Sequence, residues 1–532
     1  MYEEAKKCEV CQKQASHKCG GCHNVYYCCK EHQRSGWKSH KNQCRPYKVC
    51  TDDILGRHLV ATKDIKPGDL VLQEPPLIWG PAQVTIPVCL GCGMAVDENS
   101  RPCSKCGWPM CSEICEKAPA HIPECRYTVM RGDKVSIRNF GMIHPSYQSI
   151  TVLRMLYQKQ FLPEVWKKID LLESHCEKLK NTQKYQQERI MISQFIQRFF
   201  KLKNVFTEEE IMKACGIVMV NSHEVPLTNP PHISIYERAS MLEHNCSANC
   251  SKSFTDAGGL MVRAGSRIQK GEHLSICYTD PLWGTPSRRH HLQESKLFWC
   301  ACARCVDPTE FQTYFSALRC QDSSCEGNLL PKSFIDNTTN EKGPDWFCDR
   351  CPSVLSSYSV QDILERIGKD LADMPKGSVR ECRSFVRTYS ELLHKNHYYL
   401  TDVKIALSEL IGQEDDCIAE VCDEDVELKA RVCRELIDLM ERLIPGEKRV
   451  KGLILFELHA AIMEIGKRKG DPESFYAALM SSREILSEAI EILKYEPDGL
   501  PEGRIYKQAV TNLHDLEAIL RTVHKTMGDN PL

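Results

Sequence analysis

The amino-acid sequence predicts a multidomain α+β protein in which small metal-held domains flank a β-rich core and a helical region closes the chain. Three observations carry that prediction. At 532 residues the chain has room for three or four domains of ~150 residues each. Its 31 cysteines fall into spaced clusters, and its apolar periodicity changes from short strands to long helices along its length. A hydrophobic content of 42%, a charged content of 26% and a net charge of −2 belong to an ordinary globular protein and exclude collagen-like, broadly disordered and polyanion-coating classes. The opening MYEEAKKCEV has no apolar h-region, and no stretch approaches the ~18 apolar residues of a membrane span. An intracellular protein, of cytoplasm and nucleus and without a membrane, is therefore expected. In a reducing compartment so many thiols argue for metal ligation over disulfides.

Residues 1–50 carry ten Lys/Arg against four Asp/Glu, whereas residues 400–532 carry 17 against 27. A basic front is compatible with acidic partners or nucleic acid, although lysines flanking a finger are also simply solvated. Within 1–50 the ligand-type residues are Cys8, Cys11, Cys19, Cys22, Cys28, His32, His40 and Cys44. They suffice for two tetrahedral zinc sets, because a two-residue gap lets both thiolates of a pair reach one ion; Cys29 is left over. So short a segment cannot offset its conformational entropy by burial, while a structural zinc supplies ~10 to 16 kcal/mol in zinc-finger peptides.

Residues 51–88 read as a β meander broken at Lys66-Pro67-Gly68. Residues 89–125 repeat the finger grammar with Cys89, Cys92, Cys103, Cys106, Cys111, Cys115, His121 and Cys125. The shorter gap from Cys115 to His121 predicts a truncated last helix. Residues 126–215 turn to helical spacing, as in Ile150, Leu153, Leu156 and Tyr157, and residues 216–295 return to short strands. In 296–352, CACARC supplies Cys300, Cys302 and Cys305 and needs a fourth ligand from elsewhere, while Cys320, Cys325, Cys348 and Cys351 read as a small zinc ribbon or as two unrelated thiol pairs. Residues 353–532 carry long helical patterns at 393–412, 452–470 and 475–496, divided at Pro445-Gly446, Gly470-Asp471-Pro472 and Pro497-Asp498-Gly499. Cys176, Cys215, Cys277, Cys382, Cys417, Cys422 and Cys433 read as buried small hydrophobes.

The first cluster strongly resembles a MYND finger, whose ligand pairs interleave. The resemblance implies one zinc on Cys8, Cys11, Cys28 and His32 and a second on Cys19, Cys22, His40 and Cys44. The same grammar gives Cys89, Cys92, Cys111 and Cys115 one ion and Cys103, Cys106, His121 and Cys125 another. Residues 51–310 resemble the split SET domain of the SMYD family, with the second finger as its inserted MYND module. The match rests on VNSHEV at 220–225, EHNCSANC at 243–250, GEHLSICYTDPL at 271–282 and CACARCVDPTE at 300–310. Two fingers and the divergent motif look most like the insect SMYD-A group, and the C-terminal helices resemble the family's TPR-like domain. That domain is either a peptide-binding concave surface or a purely structural buttress.

The resemblance implies that Cys246 completes a zinc with Cys300, Cys302 and Cys305, with Cys250 as a competitor, so that about six zinc ions are expected. It implies S-adenosylmethionine-dependent protein-lysine N-methylation of a histone or non-histone protein, with Tyr278 orienting the acceptor amine. Tyr278 read without the family is a buried strand tyrosine. Cofactor contacts are implied at Gly56, Arg57, Asn221, Glu243, His244, Tyr278 and Phe298; Phe298, next to Trp299, reads equally as core. Leu55 and His58 stand where the family has a basic residue and a glycine, Glu243 where it has asparagine, and Ala248 where it has proline. Because a carboxylate only accepts, Glu243 cannot reproduce any donated bond. The alternative is a catalytically degenerate SET/MYND scaffold, an interaction adaptor or transcriptional corepressor. Proline-containing peptides are the implied partners of the fingers, and specific nucleic-acid recognition is not expected, since no recognition-helix pattern is present.

Overall fold

The structure is a computed structural model describing residues 7–19, 25–41, 44, 46–335, 343–414 and 417–528, with side chains up to 523. Cys22, one of the expected ligands of the first finger, lies outside the described residues.

The first finger is built on little more than its ligands. A two-residue ladder pairs His17–Lys18 with Tyr26–Tyr27, and the helix Lys30–His40 follows, its N-terminus capped by the leftover Cys29. Its core consists of Cys8, Ala15, Cys19, Tyr27 and Cys44. In the second finger the corresponding helix is cut to Glu113–Glu116, followed by a 3-10 turn at Pro119–His121 and a helix at Ile122–Arg131, the truncation that the shorter ligand gap predicts.

The β-rich part is several small sheets rather than one. The hairpin Tyr47–Asp52/Gly56–Ala61 begins four residues before the expected boundary at 51. Ile78–Pro81, His232–Ile235 and Ser222–Val225 form one three-stranded antiparallel sheet; Leu70–Glu74, Leu260–Ala264 and Cys250–Phe254 form another. Glu243–His244 runs parallel to Ser275–Ile276, and Leu59 accepts from the Leu274 N–H at 2.9 Å, so the hairpin and the crossing pair are sewn together. Their shared core holds Leu59, Leu72, Tyr236, Leu242, Val262 and Leu274.

The expected return to strands at 216 is corrected: residues Glu208–Asn221 form one helix, and the strand starts at Ser222. The reason is local. Thr207 and Glu210 form a capping box, and buried Ile211, Met212, Cys215 and Val218 keep helical spacing into the core. The β-branched run that suggested a strand is a fully packed helix face, which periodicity over five residues cannot distinguish.

The C-terminal region is a stack of antiparallel helices, Asp423–Leu443, Arg449–Lys469, Pro472–Leu493 and Pro501–Gly528, preceded by three more from Ser357 to Leu410. It meets the β-rich part at a close backbone contact: a Cβ on Gly446 would stand 1.9 Å from the Ala248 carbonyl oxygen, and one on Gly265 1.7 Å from that of Gly446. The site of the family's proline thus faces the helical stack. Cys215, Cys382 and Cys433 are buried as expected; Cys417 and Cys422 are exposed, which corrects their assignment, because they sit in the loop before the Asp423–Leu443 helix rather than on its apolar face. Among the described residues no helix is long and apolar enough to cross a membrane.

Candidate functional site

Five sets of four potential ligands gather with their donor atoms within 4.8 Å of one another: Cys8, Cys11, Cys28 and His32; Cys89, Cys92, Cys111 and Cys115; Cys103, Cys106, His121 and Cys125; Cys246, Cys300, Cys302 and Cys305; and Cys320, Cys325, Cys348 and Cys351. Sulfur and imidazole donors in fours are the donor chemistry of tetrahedral zinc. Cys19, His40 and Cys44 also meet, with His40 Nε2 3.2 Å and Cys44 Sγ 3.6 Å from Cys19 Sγ. Cys250 does not join Cys246: it is buried in the strand core.

Two groups of buried charged residues stand behind these potential ligands. His121 turns Nε2 toward Cys106 at 3.3 Å, while Nδ1 lies 3.1 Å from Glu124, whose fully buried carboxylate also accepts two hydrogen bonds from Arg154 at 3.1 and 2.8 Å. Arg154 donates further to the Trp79 and Leu90 carbonyls. Such a partner orients a ligating imidazole and fixes its tautomer. Behind the Cys246 set, Arg304 donates to Glu310 at 2.8 Å and to the Cys246 and Pro281 carbonyls, and Arg288 donates to Glu310 at 3.2 Å. The His-x-x-Glu spacing at 121–124 and the six-residue step from Arg304 to Glu310 are local; the other pairs span 22 to 75 residues.

Tyr278 lies just beyond the crossing pair and is held from three sides. Its backbone N–H donates to His244 Nδ1 at 3.0 Å, its hydroxyl donates to the Leu242 carbonyl, and its ring lies 5.2 Å from that of His244, which in turn lies 5.9 Å from Phe298. Since Nδ1 accepts, the His244 proton is assigned to Nε2, 3.2 Å from Cys246 Sγ, so a single imidazole ties the tyrosine to the cysteine knot. Burial pushes the Tyr278 phenol well above its ordinary range, and the Glu243 carboxylate adds to this. The hydroxyl therefore stays a donor rather than a phenolate base.

The polar residues expected to meet a cofactor are engaged elsewhere. Asn221 is buried at the end of its helix, and its amide donates to the Glu173 carbonyl at 2.7 Å and the Ile217 carbonyl at 2.9 Å. Glu243 pairs with His273 Nδ1 at 2.8 Å, and His273 stacks on buried His58 with ring centroids 4.6 Å apart. His58 Nδ1 is 3.6 Å from Asp52. Arg57 donates to the Leu171 carbonyl at 2.5 Å. Gly56 is left-handed with φ of +65°, and nothing lies within 4 Å of where its Cβ would be, so its backbone is open to approach.

Sequence reasoning named Phe298 but missed Lys296, two residues earlier at the end of the Thr285–Lys296 helix. Its ammonium sits 5.7 Å from the Tyr278 ring centroid and donates to the Val220 carbonyl at 2.7 Å, with the Met219 carbonyl at 3.5 Å. Burial lowers its pKa to about 8, with Lys252 and Lys184 adding to the shift.

Residues 8–44 match the MYND finger family and residues 56–279 the SET domain family. The chain is similar to the SET domain-containing protein SmydA-8, isoform A, of Drosophila melanogaster, at 25% identity over 77% of this chain and 88% of that one. It is 24% identical to the histone-lysine N-methyltransferase ASHR1 of Arabidopsis thaliana over 75% of this chain and 83% of the relative. The mouse histone-lysine N-methyltransferase SMYD3 is 27% identical over 47% of this chain and 59% of its own length. A solved SET domain of LSMT aligns at 16% identity over 93% of this chain and 95% of that one, but with a TM-score of 0.23, too weak a superposition to carry an argument.

Proposed function

We propose that this chain, a SET and MYND domain protein of the SMYD type, is an S-adenosylmethionine-dependent protein-lysine N-methyltransferase held together by about six zinc ions. The names of its relatives support the reaction class. The observation that carries the reading for this chain is the convergence of Tyr278, His244 and Phe298 at the crossing pair, braced by the Cys246 knot.

The residues present fit such a cofactor. Glu243 offers a carboxylate to an ammonium, Gly56 offers open backbone, and the rings of Tyr278, His244 and Phe298 tolerate a sulfonium beside them. The cofactor, when bound, supplies an electrophilic methyl group. The protein's own task is then to desolvate an acceptor amine, favour its neutral form over an ordinary lysine pKa of ~10.4, and align it. Tyr278 keeps its proton and so can hold the amine nitrogen by its hydroxyl oxygen while its ring faces the positive charge. The Cys246 set, through His244, fixes where that tyrosine stands.

Methyl incorporation into a mixture of candidate proteins tests the role. Tyr278→Phe is expected to lower the rate by ~10²-fold or more with cofactor binding retained; full activity in that variant would reject the assignment. One observation favours the alternative scaffold reading: the Asn221 amide donors and the Glu243 carboxylate are already satisfied within the chain. A scaffold would recruit partners through its fingers and bind no cofactor at all.

A further inference from the structure

The Lys296 ammonium has an ordinary structural role open to it, since lysine often caps the last carbonyls of a helix, here those of Met219 and Val220. Three features exceed that role. A helix cap is usually solvated, whereas Lys296 is half-buried and no carboxylate pairs with it among the described residues. Its nitrogen lies over the face of Tyr278, the residue proposed to orient an acceptor amine. A neutral amine has two N–H donors and one lone pair; the two carbonyls can take both donors, leaving the lone pair uncommitted.

We propose that Lys296 is a methyl acceptor of its own chain, a built-in lysine seated in the acceptor position beside Tyr278. This rests on the methyltransferase reading above. In the transfer the Lys296 nitrogen forms a bond to the methyl carbon as the carbon–sulfur bond breaks, the bonding pair leaves with sulfur to give the neutral thioether, and the methylated amine is cationic. Lys296 must therefore lose its proton to solvent before attack. Its lowered pKa, from burial and from the neighbouring lysines, eases that loss. Nearby His223, which burial, Lys252 and Lys296 hold well below its ordinary range, stays neutral and adds no further cation. Lys296 also competes with any external lysine for the same place.

The test is mass mapping of the zinc-loaded full chain after incubation with S-adenosylmethionine and no other protein. One added methyl is expected on the peptide carrying Lys296, at a rate independent of protein concentration, and none in Lys296→Arg. Calorimetric heat with the cofactor but an unmodified Lys296, or methyl found only on other lysines or on added protein, overturns this proposal and leaves the enzyme reading standing. Absence of that heat defeats both. A readout free of turnover is competitive acylation of the cofactor-free chain across pH: Lys296 is expected to react more slowly than surface lysines and to titrate near 8 instead of 10.5. Rapid acylation with an ordinary midpoint would place the side chain outside the site and also overturn the proposal.

Discussion

The two fingers share one ligand grammar and are embedded differently. In the first, Cys11, Cys28 and Cys29 are partly exposed and the buried apolar core is three cysteines, Ala15 and Tyr27. In the second, Cys89, Cys103, Cys106, Trp108 and Met110 belong to the same buried cluster as the helical insert, and the Glu124–Arg154 pair ties the potential ligand His121 to the strand Ile78–Pro81 through Trp79. A shared ligand grammar thus gives one finger with little buried apolar surface beyond its potential ligands and another whose core is continuous with the main one. Ligand pattern reports what ion is held, and burial reports what else holds the domain.

The largest expected effect comes from cutting that tie. Arg154→Met leaves the Glu124 carboxylate buried without its cation and should cost about 3 to 5 kcal/mol in denaturant unfolding of the zinc-loaded chain; a loss under ~1 kcal/mol would mean that the second finger is not knit to the core. Next is graded chelation followed by hydrogen exchange. Amides of the first finger should lose protection at chelator levels that leave those near Trp108 and Tyr127 protected, and simultaneous loss would erase the difference between the fingers. Cys8→Ser should remove one zinc by metal analysis yet leave the main thermal transition within the ~0.5 kcal/mol of a surface change. The smallest effect is expected from Arg101→Ala: its pair with Glu113 is 47% and 65% exposed, so a stability change of no more than ~0.5 kcal/mol should be read from the same denaturation curves.

Legibility followed the same divide. Zinc ligands announce themselves because ligation fixes spacing, and the Cys246 assignment followed from a family string that places it 54 residues before Cys300. The helix ending at Asn221 is not legible in the sequence because a short buried run is alike in both periodicities, and neither is the bond its Asn221 amide donates to the Glu173 carbonyl. Glu124 with Arg154, Arg304 with Cys246, and Lys296 with Val220 are pairings between distant segments, each 30 residues or more apart, for which a single sequence has no signal. Glu243 reads from the sequence as a lost amide, whereas its pairing with His273, 30 residues on, shows only once Glu243–His244 and Ser275–Ile276 lie side by side.

The claim on which the rest depends is that the residues Gly56, Glu243, His244 and Phe298 still receive the methyl donor although the Glu243 carboxylate has a partner within the chain. Isothermal titration of the zinc-loaded protein with S-adenosylmethionine reads this directly. The account predicts a saturable one-to-one isotherm that weakens when His244 is replaced by alanine. A flat trace from protein whose zinc content and folding are verified would contradict it and leave a binding scaffold in place of an enzyme.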